Sequence, residues 1–295
     1  MREISELPDA PRAADGVAIW SGYHRVRLKW HRMKRRVEDI PFTPAILREA
    51  LAAGASSEVD LRAHGEDGFV VLHDDRLDRE TSGSGLVAAA DSALLRALTM
   101  RASDGTITDE RVLLLDDLAE LAAGDAAADA LVQLDLKEEA SAITPAVIAR
   151  FARLIGPVAQ RFILSGGDWT AVRRLAEATP GLAAGFDPCS DDTIERLNSG
   201  ADLDVFVAEA LAAAPRASTI YLHYPIVLKA ASLGHDIIGA FHDADRLIDA
   251  YTLNTTHADA ARTLRQLVAL EVDQITTDEP IALQALFESS DTSQA

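Results

Sequence analysis

Short β-rich runs alternate with Ala/Leu-rich helical runs along almost the whole chain, and this alternation limits the available folds more than any other feature. Candidate strands cover residues 26–30, 57–61, 69–73, 131–136, 162–165, 183–186, 220–223, 250–254 and 274–277. Candidate helices cover residues 44–53, 92–98, 116–123, 145–154, 170–178, 190–198, 240–244 and 258–270. Strand–helix alternation of this extent predicts a parallel α/β fold. Eight or nine such strands point to a (β/α)8 TIM-type barrel, which typically needs about 250 residues. One repeat is irregular and helix-poor, near residues 57–73. Residues 62–68 are too few for a helical crossover, so residues 69–73 either lack their helix or pair as a hairpin. Thr43 and Pro44 supply an N-cap and a first-turn proline for the first helix, and Gly54 supplies its stop.

No Pro/Gly/Ser-rich linker divides the chain. Residues 1–22 read as an N-terminal extension, 23–287 as the barrel and 288–295 as a frayed polar tail. Composition narrows the function. The net charge of −19 disfavours nucleic acid and anionic membranes as partners. An anionic substrate would therefore need a local positive site. The single cysteine, Cys189, excludes an intrachain disulfide and reads as structural. No run approaches the roughly 18 apolar residues of a membrane span, and the N-terminus lacks a signal-peptide pattern. The default expectation is a cytoplasmic protein without stable membrane insertion.

Barrel chemistry sits at the C-terminal ends of strands. His31 and Arg32 end the first candidate strand, and His73 and Asp74 end the third. Glu58 and Asp60 lie two apart on one strand, so both face the same side, with Val59 and Leu61 on the other. Asp135 and Lys137 repeat the pattern between Leu134 and Leu136. Adjacent inward carboxylates repel unless a cation lies between them. Three of them form a hard oxygen set suited to Mg²⁺ or Ca²⁺. A solvated polar strand face would explain Glu58 and Asp60 alone, but it explains the combined set less well. His31 and His73 are candidate proton-transfer groups. His24, His64, His223, His235, His242 and His257 lack that setting, and His64 is placed in an exposed turn. The basic run Lys34-Arg35-Arg36 reads as a solvated face that could also attract an anionic headgroup.

These residues resemble those of the glycerophosphodiester phosphodiesterases. Glu58-Val59-Asp60-Leu61-Arg62 resembles the family's Glu-x-Asp strand, and Phe69 to Asp74 the strand leading to its second histidine. Leu77 to Gly85 resembles the run that follows, and Leu134-Asp135-Leu136-Lys137 the strand that usually carries Glu then Lys. The first motif departs from the pattern. His31-Arg32 is kept, but Met33 replaces the glycine, and Ile40-Pro41-Phe42-Thr43 stands where Pro-Glu-Asn-Thr is usual. The resemblance implies a metal-dependent barrel enzyme that cleaves a small-molecule phosphodiester to an alcohol and glycerol 3-phosphate. Glu58, Asp60 and Asp135 would hold one divalent cation, Arg32 and Lys137 would bind phosphate, and His31 and His73 would share acid and base work. A lipid-directed phosphodiesterase of the same barrel type and a catalytically impaired binder are the alternatives.

Overall fold

The computed structural model describes residues 15–291, with side chains to residue 289. Residues 1–14 of the N-terminal extension and 292–295 of the C-terminal tail lie outside the described residues. The chain opens with a hairpin of β1 (Ala18–Ser21) and β2 (His24–Trp30), turned at Gly22 with φ +59°. Helix α1 (Pro44–Ala53) leads to β3 (Ser56–His64), which pairs antiparallel with β4 (Gly68–Val71). A side excursion follows, made of α2 (Ser92–Ala97) and the small hairpin of β5 (Thr99–Arg101) and β6 (Ile107–Arg111).

Regular alternation then resumes through α3 (Leu115–Ala122), β7 (Leu131–Leu136), α4 (Pro145–Ile155), β8 (Phe162–Gly166), α5 (Trp169–Glu177) and β9 (Ala183–Phe186). Helices α6 (Thr193–Arg196) and α7 (Gly200–Ala213) precede β10 (Thr219–His223), and α8 (Tyr224–Ser232) and α9 (Ile237–His242) precede β11 (Leu247–Tyr251). Helix α10 (Ala260–Ala269), β12 (Gln274–Thr277) and α11 (Pro280–Asp291) complete the chain.

Eight parallel strands close on themselves in the order β2-β3-β7-β8-β9-β10-β11-β12, with β12 pairing β2 again. The expected (β/α)8 barrel is present. The helix-poor repeat is also present: β4 is a hairpin partner outside the closed barrel. The outward strand residues Val59, Leu61, Leu134 and Leu136 are buried in an apolar layer beneath α1, α3, α4 and α5. A second layer joins β2 and β10–β12 to α7–α11. The first helix starts as expected, with the Thr43 hydroxyl accepting from the Ile46 N–H at 3.3 Å and Gly54 ending it at φ +70°.

Several boundaries differ from the sequence reading. The strand expected at 69–73 stops at Val71, and the one expected at 250–254 lies at Leu247–Tyr251. Tyr251 and Thr252 are strand-favouring residue types, but the ladder with β10 ends at Tyr251. The helix expected at 190–198 shrinks to Thr193–Arg196, because Asp191, Asp192 and Ser190 form a turn instead, with the Ser190 hydroxyl donating to Asp192 at 2.7 Å. His64 is not exposed. It ends β3 at 5% exposure, and a Cβ on the facing Gly68 would lie 2.5 Å from its Nε2. Burial lowers its pKa, and the nearby Arg150 guanidinium adds to the effect.

Candidate functional site

Parallel register places the candidate carboxylates side by side. Asp60 on β3 pairs with Asp135 on β7, which pairs with Ser165 on β8. Paired residues of parallel strands point to the same side, here into the barrel. Glu58, two residues before Asp60, shares that face. One oxygen from each of Glu58, Asp60 and Asp135 lies within 4.8 Å of the others. His31 and Arg32 follow β2, Lys137 follows β7, and His73 follows β4. All seven residues line one cavity of about 250 Å³ at this end of the barrel, with Lys29, Gln133, Ser165, Asp187, Tyr221, Tyr251, Thr252 and Thr276.

The charged groups interlock. Lys137 Nζ lies 2.9 Å from Asp60 Oδ1 and also bonds Asp135 Oδ2. Arg32 Nε is 3.4 Å from Asp60 Oδ2, and the Arg32 backbone N–H donates to Glu58 Oε2 at 2.8 Å. Burial, reinforced by the charge of Asp60, pushes the Glu58 carboxyl up to about 7. Lys137 is raised instead: burial lowers it, but the charges of Asp135 and Asp60 outweigh that loss. Asp60 Oδ2 is buried without a hydrogen-bond partner. Three converging carboxylates, one with a buried oxygen that accepts no hydrogen bond, fit a hard divalent cation.

His31 Nδ1 meets Asp278 Oδ1 at 3.0 Å, which leaves Nε2 on the side of Glu58, 4.0 Å away. Burial alone would lower the His31 pKa, but the Asp278 hydrogen bond and the Glu58 charge raise it overall. Asp278 also accepts from Asn254 Nδ2 at 2.7 Å. His24 lies at the opposite end of β2, bonded to the Val272 carbonyl at 2.9 Å. His73 stands on a loop tied down by Glu80, whose carboxylate accepts from the His73 and Asp74 backbone N–H groups at 3.1 and 2.7 Å. His73 Nδ1 meets Asp74 Oδ1 at 2.9 Å.

The departure at Met33 has a structural counterpart. Arg32 and Met33 adopt φ +52° and +57°, the left-handed region that glycine occupies without strain. Met33 is fully buried in the apolar layer, so its packing offsets the backbone strain. Phe42, at the other end of this loop, is likewise left-handed and fully buried. The basic run is largely engaged within the protein. Lys34 lies 3.6 Å from Asp278, and Arg35 pairs with Glu49 and stacks over Trp30.

Sequence reasoning missed Asp278, Glu80, Lys29, Gln133, Ser165 and Asp187. Period-2 alternation offered a signal for some of them, since Lys29 lies two before His31, Gln133 two before Asp135, and Thr276 two before Asp278. Asp187 follows β9 and accepts from the Cys189 N–H at 2.8 Å. Burial raises its carboxyl to about 6, and burial followed by the Asp187 charge pushes the Cys189 thiol up to about 12. The folded carboxyl thus holds a proton at pH values where the unfolded chain has released it. The ionised form opposes folding fully above about 6 and not at all below the ordinary value of 3.8. Asp187→Asn is expected to raise stability at pH 7.5 by about 1–3 kcal/mol, with the gain fading toward pH 4. Thermal melts of both proteins at the two pH values check this, and equal melting at pH 7.5 would contradict it.

The model of the glycerophosphoryl diester phosphodiesterase family matches residues 42–282. The match begins at Phe42, so His31, Arg32 and most of the divergent stretch that follows them lie before it. No curated relative matches the chain. Among solved structures it is similar to a glycerophosphodiester phosphodiesterase from Agrobacterium tumefaciens, with a TM-score of 0.63 and 21% identity over 88% of this chain and 99% of that one. It is similar to another from Thermotoga maritima, with a TM-score of 0.62 and 20% identity over 90% and 99% of the two chains. A phosphodiesterase from Oleispira antarctica, in complex with the product sn-glycerol-3-phosphate, gives a TM-score of 0.60 and 18% identity over 88% and 96%. At these identities the solved structures speak for the fold, and the family match speaks for the chemistry. Matched over most of its length, the chain belongs to the glycerophosphoryl diester phosphodiesterase family and is a phosphoric diester hydrolase.

Proposed function

We propose that this protein hydrolyses a small glycerophosphodiester to an alcohol and glycerol 3-phosphate, with the help of one divalent cation, Mg²⁺ or Ca²⁺. One observation carries the reading: a single cavity brings His31 and His73, the converging carboxylates of Glu58, Asp60 and Asp135, and the cationic Arg32 and Lys137 together. The product seen in the Oleispira antarctica enzyme agrees with it. Glu58, Asp60 and Asp135 would hold the cation, which when bound supplies charge neutralisation at a phosphate oxygen. Arg32 and Lys137 reach the same space and would bind the phosphate. Both are engaged with Asp60, so binding a phosphate means exchanging one anionic partner for another. Arg32 can engage phosphate in a planar, bidentate manner.

His31 and His73 are the proton-transfer pair. Each has its Nδ1 against a carboxylate, of Asp278 and Asp74 respectively, which fixes the ring and leaves Nε2 for the reacting atoms. One ring takes a proton from the attacking hydroxyl as its oxygen bonds to phosphorus, and the other gives a proton to the alkoxide that leaves; where the attacking hydroxyl is the substrate's own, water then opens the cyclic phosphate to glycerol 3-phosphate. The acidic charge favours a soluble substrate over an anionic lipid surface. The net charge is −19, and among the described residues no helix is long and apolar enough to cross a membrane. The test is hydrolysis of a phosphodiester panel with Mg²⁺, Ca²⁺ or chelator. Cation-dependent release of glycerol 3-phosphate is expected. Turnover untouched by exhaustive chelation would remove the cation from the reading, and hydrolysis of vesicle lipid alone would favour the lipid-directed alternative.

A further inference from the structure

Barrels of this type usually fill their interior with branched apolar side chains. Here the layer that floors the cavity is polar. Lys29 on β2 and Asp249 on β11 form an ion pair at 2.8 Å, with side chains 3% and 0% exposed. The Thr276 hydroxyl donates to Asp249 Oδ1 at 2.6 Å, and Gln274 Nε2 donates to Oδ2. Lys29 Nζ also lies 4.4 Å from the centre of the Tyr221 ring. From Lys29 a row of hydrogen bonds runs upward. Lys29 donates to Gln133 Oε1, Gln133 Nε2 donates to Ser165 Oγ at 2.8 Å, and Ser165 Oγ donates to Asp135 Oδ1 at 3.0 Å.

This row has only one workable direction. An ammonium group has three donors and no acceptor. It therefore turns the Gln133 amide oxygen toward itself and the NH₂ toward Ser165. The Ser165 oxygen receives that N–H, and its one hydrogen is left for Asp135. An ionised carboxylate only accepts, so the last link matches the first. Asp135 is also the carboxylate with most need of support. Its side chain is 25% exposed, against 5% for Glu58 and 2% for Asp60.

We propose that Ser165, Gln133 and Lys29 are positioning residues that hold Asp135 in the orientation that completes a cation site with Glu58 and Asp60. The buried Lys29–Asp249 pair is their anchor. This rests on the reading that the three carboxylates hold a divalent cation. The polar interior is then a support for the site above it, and Gln133 transmits the direction that Lys29 sets.

The test is calorimetric titration of the whole protein with Mg²⁺ alone and with Ca²⁺ alone, without substrate. Ser165→Ala and Gln133→Glu are each expected to weaken cation binding by about 10–100-fold. Gln133→Glu is the sharper variant. It keeps the size and still accepts from Lys29, but its ionised carboxylate has no N–H, so the Ser165 hydroxyl turns toward it and away from Asp135. Ser165→Thr keeps the hydroxyl and is expected to bind close to wild type. Lys29→Met strands the buried Asp249 and is unsuitable on its own. Unchanged affinity in Ser165→Ala and Gln133→Glu, with only a lower melting temperature, would overturn the proposal and leave the network a purely structural role. Failure of the wild-type protein to bind either ion would instead remove the carboxylate reading, and the proposal with it.

Discussion

Asp60→Asn is expected to lower phosphodiester turnover by on the order of 10³-fold and to abolish stabilisation by divalent cations. Asp60 is 1% exposed and central to the site. Its Oδ1 faces Lys137 at 2.9 Å, its Oδ2 faces Arg32 at 3.4 Å, and it converges with Glu58 and Asp135. The substitution keeps the shape and removes the charge. It takes away one candidate cation ligand, and it leaves Lys137 and Arg32 with one anionic partner fewer. Removing Asp60's charge also relieves Glu58, whose raised pKa owes its second-largest contribution to that charge. The folded state should therefore survive. A wild-type protein in cation at 100 times its Kd gains about 2.7 kcal/mol of stability, whereas Asp60→Asn should gain none. Melts with and without Mg²⁺, run beside the hydrolysis assay, read both effects. A variant that keeps both the cation-dependent shift and its turnover would show that Asp60 is not a ligand.

The second large effect belongs to His31. His31→Ala is expected to reduce kcat by about 10²–10⁴-fold, the usual contribution of a positioned proton-transfer group. His24→Ala should leave kcat within a few-fold of wild type, because His24 sits at the far end of β2. The pH dependence separates a chemical role from a packing role. Burial pulls the His31 pKa down, but Asp278 and then Glu58 pull it above the ordinary 6.5. The ring is charged below its own pKa, so the limb of the pH–rate profile that it sets lies above 6.5. Asp278→Asn weakens the partner of Nδ1 and should move that limb to lower pH. Steady-state rates from pH 5 to 9 (about the range over which a histidine titrates) measure this. A limb that stays in place in Asp278→Asn would assign it to another group. A His31→Ala enzyme with normal kcat would return the proton-transfer role to His73 alone.

The barrel was legible in the sequence because its signals are local. Strand runs such as 131–136 and 274–277 coincide with β7 and β12, since alternation and β-branched content act within a few residues. Thr43, Pro44 and Gly54 marked the ends of α1 for the same reason. The seven candidate site residues could be named because His31, Arg32, His73 and Lys137 follow strands and two pairs repeat at a spacing of two. Their convergence depended on register. Asp60 stands beside Asp135 only because β3 and β7 pair at Ser56 and Leu131 and not one residue away.

What lay beyond the sequence is non-local. Lys29 and Asp249 are 220 positions apart, and nothing near either residue announces the other. Asp278 meets His31 across 247 positions because β12 and β2 close the barrel. His64 looked like a turn residue, yet it ends β3 and is buried in the β3–β4 hairpin. Local patterning along the chain sets the repeating strand–helix units and which side chains face inward. Only closure of the barrel decided which inward groups meet, because a strand specifies its own two faces but not its neighbours.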